Sequence, residues 1–214
     1  MTHPFHAPQA IQFAINLLKG GLSPQLAYHN LWHTTHEVLP GSALFAHHSD
    51  ISEVDQHLLS VAAAFHDVGF TQSYANHEIV GIRIAVRVLP DFGFTGAHID
   101  RIKGMILATR IPQSPQNLLE EILADADLDV LGRADFLARN DALRQEWTNY
   151  GRATSPVQWY ESQVNFLRNH TYFTPVARRL RDEQKKENLA ALEDILQSVK
   201  IGTSPTSLDP SSPS

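Results

Sequence analysis

The stretch LLSVAAAFHDVGF, Leu58 to Phe70, decides how this chain is read. It is an apolar helical run that opens after a capping candidate, Asp50 or Ser52, reaches about Val68 and stops at Gly69. At its end it sets His66 and Asp67 side by side. Two metal-binding groups next to each other on a nearly buried element are costly unless a cation compensates them. The pair therefore predicts a metal site at a helix end.

Outward from that run the pattern stays helical. On residues 9–19, Ile11, Ala14, Ile15 and Leu18 share one face. Ser23 as N-cap and Pro24 at the first helical position then predict a new helix, with a turn or kink near Pro40-Gly41 before it ends at about His48. Further helices are expected at roughly 74–89, 96–110, 117–131, 134–150, 156–169 and 175–199, separated by turn-formers such as LPDFG, IPQSP and TSP. Period-2 alternation is hardly visible, so the predicted class is all-α, a compact multi-helix bundle. One domain over 1–200 is expected, with helices from about 134 packed on a motif-bearing core at about 25–135. The Ser/Pro-rich tail from 202 is expected to be disordered.

With 214 residues, 43% of them hydrophobic, the chain can bury one good core. Its 17 basic and 23 acidic residues give a net charge of -6, which offers no general attraction to nucleic acid or to an anionic membrane. The absence of cysteine excludes disulfides, thiolate nucleophiles and cysteine-ligated metal. Neither a signal peptide nor an apolar run of membrane-spanning length is visible, so a soluble, cytoplasmic protein is expected.

Histidine is over-represented: 12 in all, eight of them between His29 and His77. His29 and His33 stand four apart on a helix, as in zinc proteases, but Asn30 occupies the place where that motif needs its glutamate base. A stronger set joins His33, His66, Asp67 and the segment LADADLDVLG, in which Asp125, Asp127 and Asp129 alternate with apolar residues. At 100° per residue those three carboxylates spread over about 200° of a helix, so one or two at most face inward. Two imidazoles with two carboxylates form a mixed N/O set that suits manganese, iron, zinc or magnesium and leaves places for water and substrate.

YHNLWH at Tyr28–His33, AAAFHDVGF at Ala62–Phe70, NHEIVG at Asn76–Gly81 and ILADADLDVLG at Ile122–Gly132 together resemble the HD-domain superfamily of metal-dependent phosphohydrolases. They stand in that family's order, with 33 positions from His33 to His66 and 60 from Asp67 to Asp127. The resemblance implies His33, His66, Asp67 and Asp127 as ligands of one divalent ion (Mn, Fe, Ni, Zn or Mg), with Asp125 as a supporting group or cap and Asp129 as a solvated or substrate-edge residue. His29 and Asn30 are expected to orient His33. Phe70 replaces the lysine that many members carry after the His-Asp pair. His77 with Gly81 matches one histidine of the two-metal members, whereas Ala108, Thr109 and Arg110 stand where the second is expected, which leaves one metal as the default.

The implied activity is hydrolysis of a small phosphate ester, a nucleotide or cyclic nucleotide, by metal-activated water. Asp67, His77 and Glu78 are the catalytic candidates: an imidazole can donate a proton to a leaving oxygen near neutrality, and a carboxylate can orient water. Cations for the phosphoryl charge are sought in Arg83 and Arg87, in Lys103 and Arg110, and additionally in Arg133. Trp32, Phe70, Tyr74 and Tyr172 are candidates to line a base or sugar pocket. Trp159, Gln163, Phe166 and Leu167 read as packing. The stripe Leu180, Leu189, Leu192 and Ile195 is expected to dock on the domain or to form a homodimer. The opposing reading is a non-catalytic ligand-binding or regulatory protein on the same fold, and a more distant one a di-iron oxygenase.

Overall fold

The computed structural model describes residues 5–202, so residues 1–4 and nearly all of the tail expected to be disordered lie outside the described residues. Among the described residues there are nine α-helices and no strand: α1 (Ala7–Gly21), α2 (Leu39–His47), α3 (Glu53–Phe65), α4 (His77–Val88), α5 (Gly96–Ala108), α6 (Leu118–Asp127), α7 (Phe136–Asn149), α8 (Pro156–Asn169) and α9 (Pro175–Lys200). The chain is all-α, as its patterning predicts.

Helix α3 is the centre of the packing. Ser52 caps it by accepting from the Asp55 N–H. Seven of its side chains, Leu58, Leu59 and Val61 to Phe65, are buried, and it packs against α1, α2 and α5. The last turns of the helix, Val61 to Phe65, are apolar and buried throughout, and the polar pair stands just beyond them. His66 is its C-cap residue, and Asp67 opens a 3-10 turn at Val68–Thr71. Helix α6 ends in the same manner: Asp127 is its last residue, and a 3-10 turn at Asp129–Gly132 follows.

The helix expected from Ser23 does not form. The Ser23 hydroxyl accepts from Gln25 N–H, residues 22–30 are irregular, and helix resumes at Leu31, widening to a π-helical turn at His33–Val38 that runs into α2. A distant acceptor causes this. The backbone N–H groups of Tyr28 and His29 both donate to Glu146 on α7, at 2.8 and 2.9 Å, where a local helix would have sent them to carbonyls.

Helices α8 and α9 pack on each other, and α9 also lies against the turn at Asp129–Gly132. Leu192 and Leu196 of α9 are buried, and Leu180 and Leu189 pack against the same core. The α9 stripe is thus engaged within the chain. Asn188 donates to the carbonyls of Leu131 and Arg133, and a Cβ at Gly132 would stand 2.6 Å from the Arg181 carbonyl oxygen. The end of α6 is therefore clamped by α9. Among the described residues no helix is long and apolar enough to cross a membrane.

Candidate metal centre

Three chain segments bring their polar ends to one point. His33 heads the π-helical turn, His66 and Asp67 end α3, and Asp127 ends α6. Ligand atoms of His33, His66 and Asp127 lie within 4.8 Å of one another. His33 Nε2 is 3.2 Å and His66 Nε2 3.5 Å from the same oxygen, Asp127 Oδ1. Asp67 Oδ2 completes the group, 3.2 Å from His66 Nε2 and 3.8 Å from His33 Nε2.

The opposite ring nitrogens define the protonation. His66 Nδ1 donates to the Ala63 carbonyl at 2.7 Å, and His33 Nδ1 to Glu37 Oε2 at 2.8 Å. Carbonyl and carboxylate oxygens only accept, so each Nδ1 carries a proton and each ring directs its Nε2 toward Asp67 and Asp127. His66 Nε2 and Asp67 Oδ2 are moreover buried without any hydrogen-bond partner. A divalent cation between them would satisfy all four groups, and the donor set fits one of borderline or hard character. Against burial, which lowers it, the Asp127 and Glu37 carboxylates raise the pKa of His33, and Asp67 and Asp127 that of His66.

Glu37 holds His33 from behind and is itself held. Its Oε1 lies 2.9 Å from Arg139 Nε and 3.2 Å from Arg133 Nη2, and Arg139 also donates to Glu37 Oε2. Arg133, sought as a phosphate contact, is therefore a buttress of the His33 ring, pinned further by Asp135. Asp125 is buried and accepts from the N–H groups of Phe173 and Thr174 and from the Thr174 hydroxyl, so it supports the start of α9. Asp129, read as solvated, is buried and paired in a fork with Arg181.

His77 begins α4 with its Nε2 3.6 Å from Asp67 Oδ1 and 3.7 Å from Glu78 Oε1. Gly69 makes this approach possible, because a Cβ there would sit 1.8 Å from the His77 carbonyl oxygen. Burial pushes the His77 imidazole pKa down, against the pull of Asp67 and Glu78. Phe70 stacks on the His77 ring at 3.8 Å between centroids and on His29 at 4.7 Å. In the place of a lysine, this chain has an aromatic ring that fixes two imidazoles.

His29 is oriented from α7. Glu146, fully buried, accepts from His29 Nδ1 at 2.5 Å and from the Tyr74 hydroxyl at 3.2 Å, besides the two backbone N–H groups. His29 thus has a fixed tautomer and keeps Nε2 for the cavity. The expected role of His29, to orient His33, has no hydrogen bond behind it; Asn30 does accept from the His33 N–H.

A cavity of about 670 Å³ opens from Asp67, His77, Glu78 and Asp127. Its other walls are largely apolar and come from α7, α8 and the turn after α6, with Phe136, Leu143, Trp147 and Phe166 among them. Phe166 and Gln163, read as packing, line it. Phe70 and Tyr74 line it as expected. Trp32 does not: it is 55% exposed and stacks on His36. Tyr172 is buried and directs its hydroxyl to the Leu128 carbonyl.

Of the cation candidates only Arg110 lies on the cavity. Arg83 and Arg87 are exposed on the outer face of α4, and Lys103 is paired with Asp100. Helical spacing put them on one face without saying which face the cavity meets. Arg139 and Arg152 line the cavity instead, Arg152 with its guanidinium over the Tyr74 ring.

No family model matches the sequence, and no curated protein matches it. Among solved structures, a predicted HD superfamily hydrolase from an uncultured Thermotogales bacterium matches with a TM-score of 0.58 and 17% identity, covering 89% of this chain and 91% of the other. The chain has the all-α fold of that protein, in agreement with the resemblance that its motifs carry.

Proposed function

We propose that the protein is a metal-dependent phosphohydrolase acting on a small phosphate ester, of the nucleotide or cyclic nucleotide kind. One observation carries the reading: two imidazoles direct their Nε2 atoms toward two carboxylates, with His66 Nε2 and Asp67 Oδ2 buried and unpartnered, at the inner end of a cavity large enough for a substrate.

His33, His66, Asp67 and Asp127 would hold the ion. When bound, a divalent cation supplies hydroxide near neutrality, by lowering the pKa of water from 15.7 to about 7, and polarises a phosphoryl oxygen. Asp67 turns Oδ1 toward His77, and His77 Nε2 is placed to carry the proton that leaves with the departing oxygen. Glu78, buried beside it, orients water or that proton. Phe70 and Glu146 keep the His77 and His29 rings from turning away. Arg110 and Arg152 at the cavity offer positive charge to an anionic substrate.

The test is turnover of nucleotides, cyclic nucleotides and generic phosphate esters by purified protein supplied with manganese, iron, nickel, zinc or magnesium, and again after chelation. Metal-dependent release of phosphate or of a nucleotide product is expected. Absence of turnover with every metal overturns the reading in favour of a ligand-binding role.

A further inference from the structure

The cavity is far larger than a phosphoryl group requires, and the part of its wall formed by Phe136, Leu143, Trp147 and Phe166 is apolar. Within that apolar surface, however, lies a short relay of buried polar side chains that the proposed chemistry does not use. Trp159, Asn140 and Gln163 are 1, 4 and 8% exposed. The Trp159 indole N–H donates to Asn140 Oδ1 at 2.9 Å, and the Asn140 amide N–H donates to Gln163 Oε1 at 2.7 Å.

The direction of this relay is fixed by its first member. An indole nitrogen can only donate, so the Asn140 oxygen must face it. The Asn140 nitrogen must then face α8, and the Gln163 oxygen must receive it. The Gln163 NH2 group is thereby left at the end of the chain. Among the described residues its one partner is the Ser162 hydroxyl at 3.4 Å, at the outer limit of a hydrogen bond. Asn140, Ser162 and Gln163 all line the cavity. The wall therefore presents an oriented amide donor, nine-tenths buried and weakly satisfied, among Phe136, Leu143, Trp147 and Phe166.

We propose that the α7–α8 wall is a subsite for a flat, largely apolar ring bearing a hydrogen-bond acceptor, a carbonyl oxygen or ring nitrogen, which the Gln163 amide reads. The ring is the leaving-group part of the phosphate ester, and to that extent the proposal rests on the function proposed above. Aromatic walls accept a ring by stacking or edge contacts. An alkyl chain would fill the same space but would bury the amide N–H against hydrocarbon, where an unmatched donor is costly. A sugar alone would leave the aromatic wall uncovered. A heteroaromatic base is the chemical class that matches both.

Calorimetric binding of nucleosides tests the subsite without requiring turnover. Adenosine, guanosine, cytidine and uridine are compared with ribose, which lacks the ring, and with a phenyl riboside, which has the ring but no acceptor. At least one nucleoside should bind about tenfold more tightly than the phenyl riboside, the scale of one hydrogen bond, and ribose should bind most weakly. Gln163→Glu keeps the bond from Asn140 but turns an acceptor to the ligand. It should weaken the preferred nucleoside by about tenfold or more and change the phenyl riboside much less. Gln163→Met, which removes the donor without adding charge, should act in the same direction. Leu143→Trp fills the wall and should abolish binding, which keeps the location testable if the glutamine variants do not fold.

Nucleosides that bind no better than the phenyl riboside, or glutamine variants that weaken both alike, overturn the proposal, as does full binding to Leu143→Trp. The two readings separate cleanly. Hydrolysis of simple phosphate esters without nucleoside binding overturns the subsite alone, whereas nucleoside binding without any phosphate-ester turnover overturns the enzyme function alone.

Discussion

The two ends of the cavity are built on opposite principles. At the inner end, the ends of α3 and α6 and the head of the π-helical turn carry metal-ligand types, and both imidazoles are held from behind: His33 by Glu37, which Arg139 and Arg133 hold in turn, and His66 by the Ala63 carbonyl. At the outer end, α7 and α8 contribute aromatic and aliphatic surface with one neutral relay, Trp159 to Asn140 to Gln163. Charge that would be ruinous if unpaired is concentrated at one pole. The other pole is mostly apolar, with Arg110, Arg139 and Arg152 as the charges that line the cavity. The difference separates a place for chemistry from a place for selection, and each half can be broken without the other.

The largest effect should come from Asp127→Asn at the inner end. It removes the carboxylate on which both imidazoles converge, a proposed ligand, and turnover should fall by more than about a hundredfold, since outer partners of metal ligands alone are worth 10–100-fold. Steady-state kinetics with saturating metal checks this. Glu37→Gln should cost about 10–100-fold in metal affinity, measured by competition with a chelator, because an amide can present a donor to His33 Nδ1 and release the ring tautomer. Wild-type affinity in that variant would show the buttress to be idle.

A change at the hinge of the two halves should register as stability. Gly69→Ala drives a methyl into the His77 carbonyl and should destabilise the protein by about 1–3 kcal/mol or more, seen as a lowered Tm, together with a loss of activity through the displaced His77. Among arginines the expected contrast is smaller. Arg110→Ala should raise KM by a few-fold, as an exposed charge on the cavity does, while Arg83→Ala on the outer face should leave KM unchanged.

The smallest effect concerns the far side of α8. Burial, aided by Lys185, holds His170 at about 4, and neither ring nitrogen has a partner. A histidine with a folded-state pKa below its unfolded value of about 6.5 favours the neutral form, so its contribution to stability is present above pH 6.5 and is lost as the pH falls toward 4. Urea titrations across that window should show a shallower decline for His170→Gln than for the wild type.

The inner end was legible in the sequence because its ligands are tied to local signals. His66 and Asp67 sit where an apolar run stops, His33 lies in YHNLWH, and Asp127 is spaced from them in a recognisable order. The helices α3, α5, α7, α8 and α9 fall where capping residues and periodicity put them, to within a few residues. The irregular segment at 22–30 was not legible, since the acceptor that unwinds it, Glu146, lies more than a hundred positions away. Glu146 escaped for the same reason, whereas Asn140 and Gln163 pair across two neighbouring helices, a contact that spacing within one helix does not reveal. A trace was present nonetheless: on α7, Phe136, Arg139, Asn140, Leu143, Glu146 and Trp147 follow helical core spacing, and polar residues within such a stripe mark a face that meets something other than hydrocarbon. The arginines show the limit of spacing. It groups Arg83 with Arg87, but only packing decides that α4 turns them outward.

Elemental analysis of the purified protein tests the central claim most directly. The wild type should carry one equivalent of a divalent transition metal, or take up one equivalent of manganese after dialysis, and Asp67→Ala, folded by circular dichroism, should hold less than a tenth of that. Full stoichiometry in Asp67→Ala, or a wild type that binds no divalent ion at all, would contradict a metal site between α3 and α6.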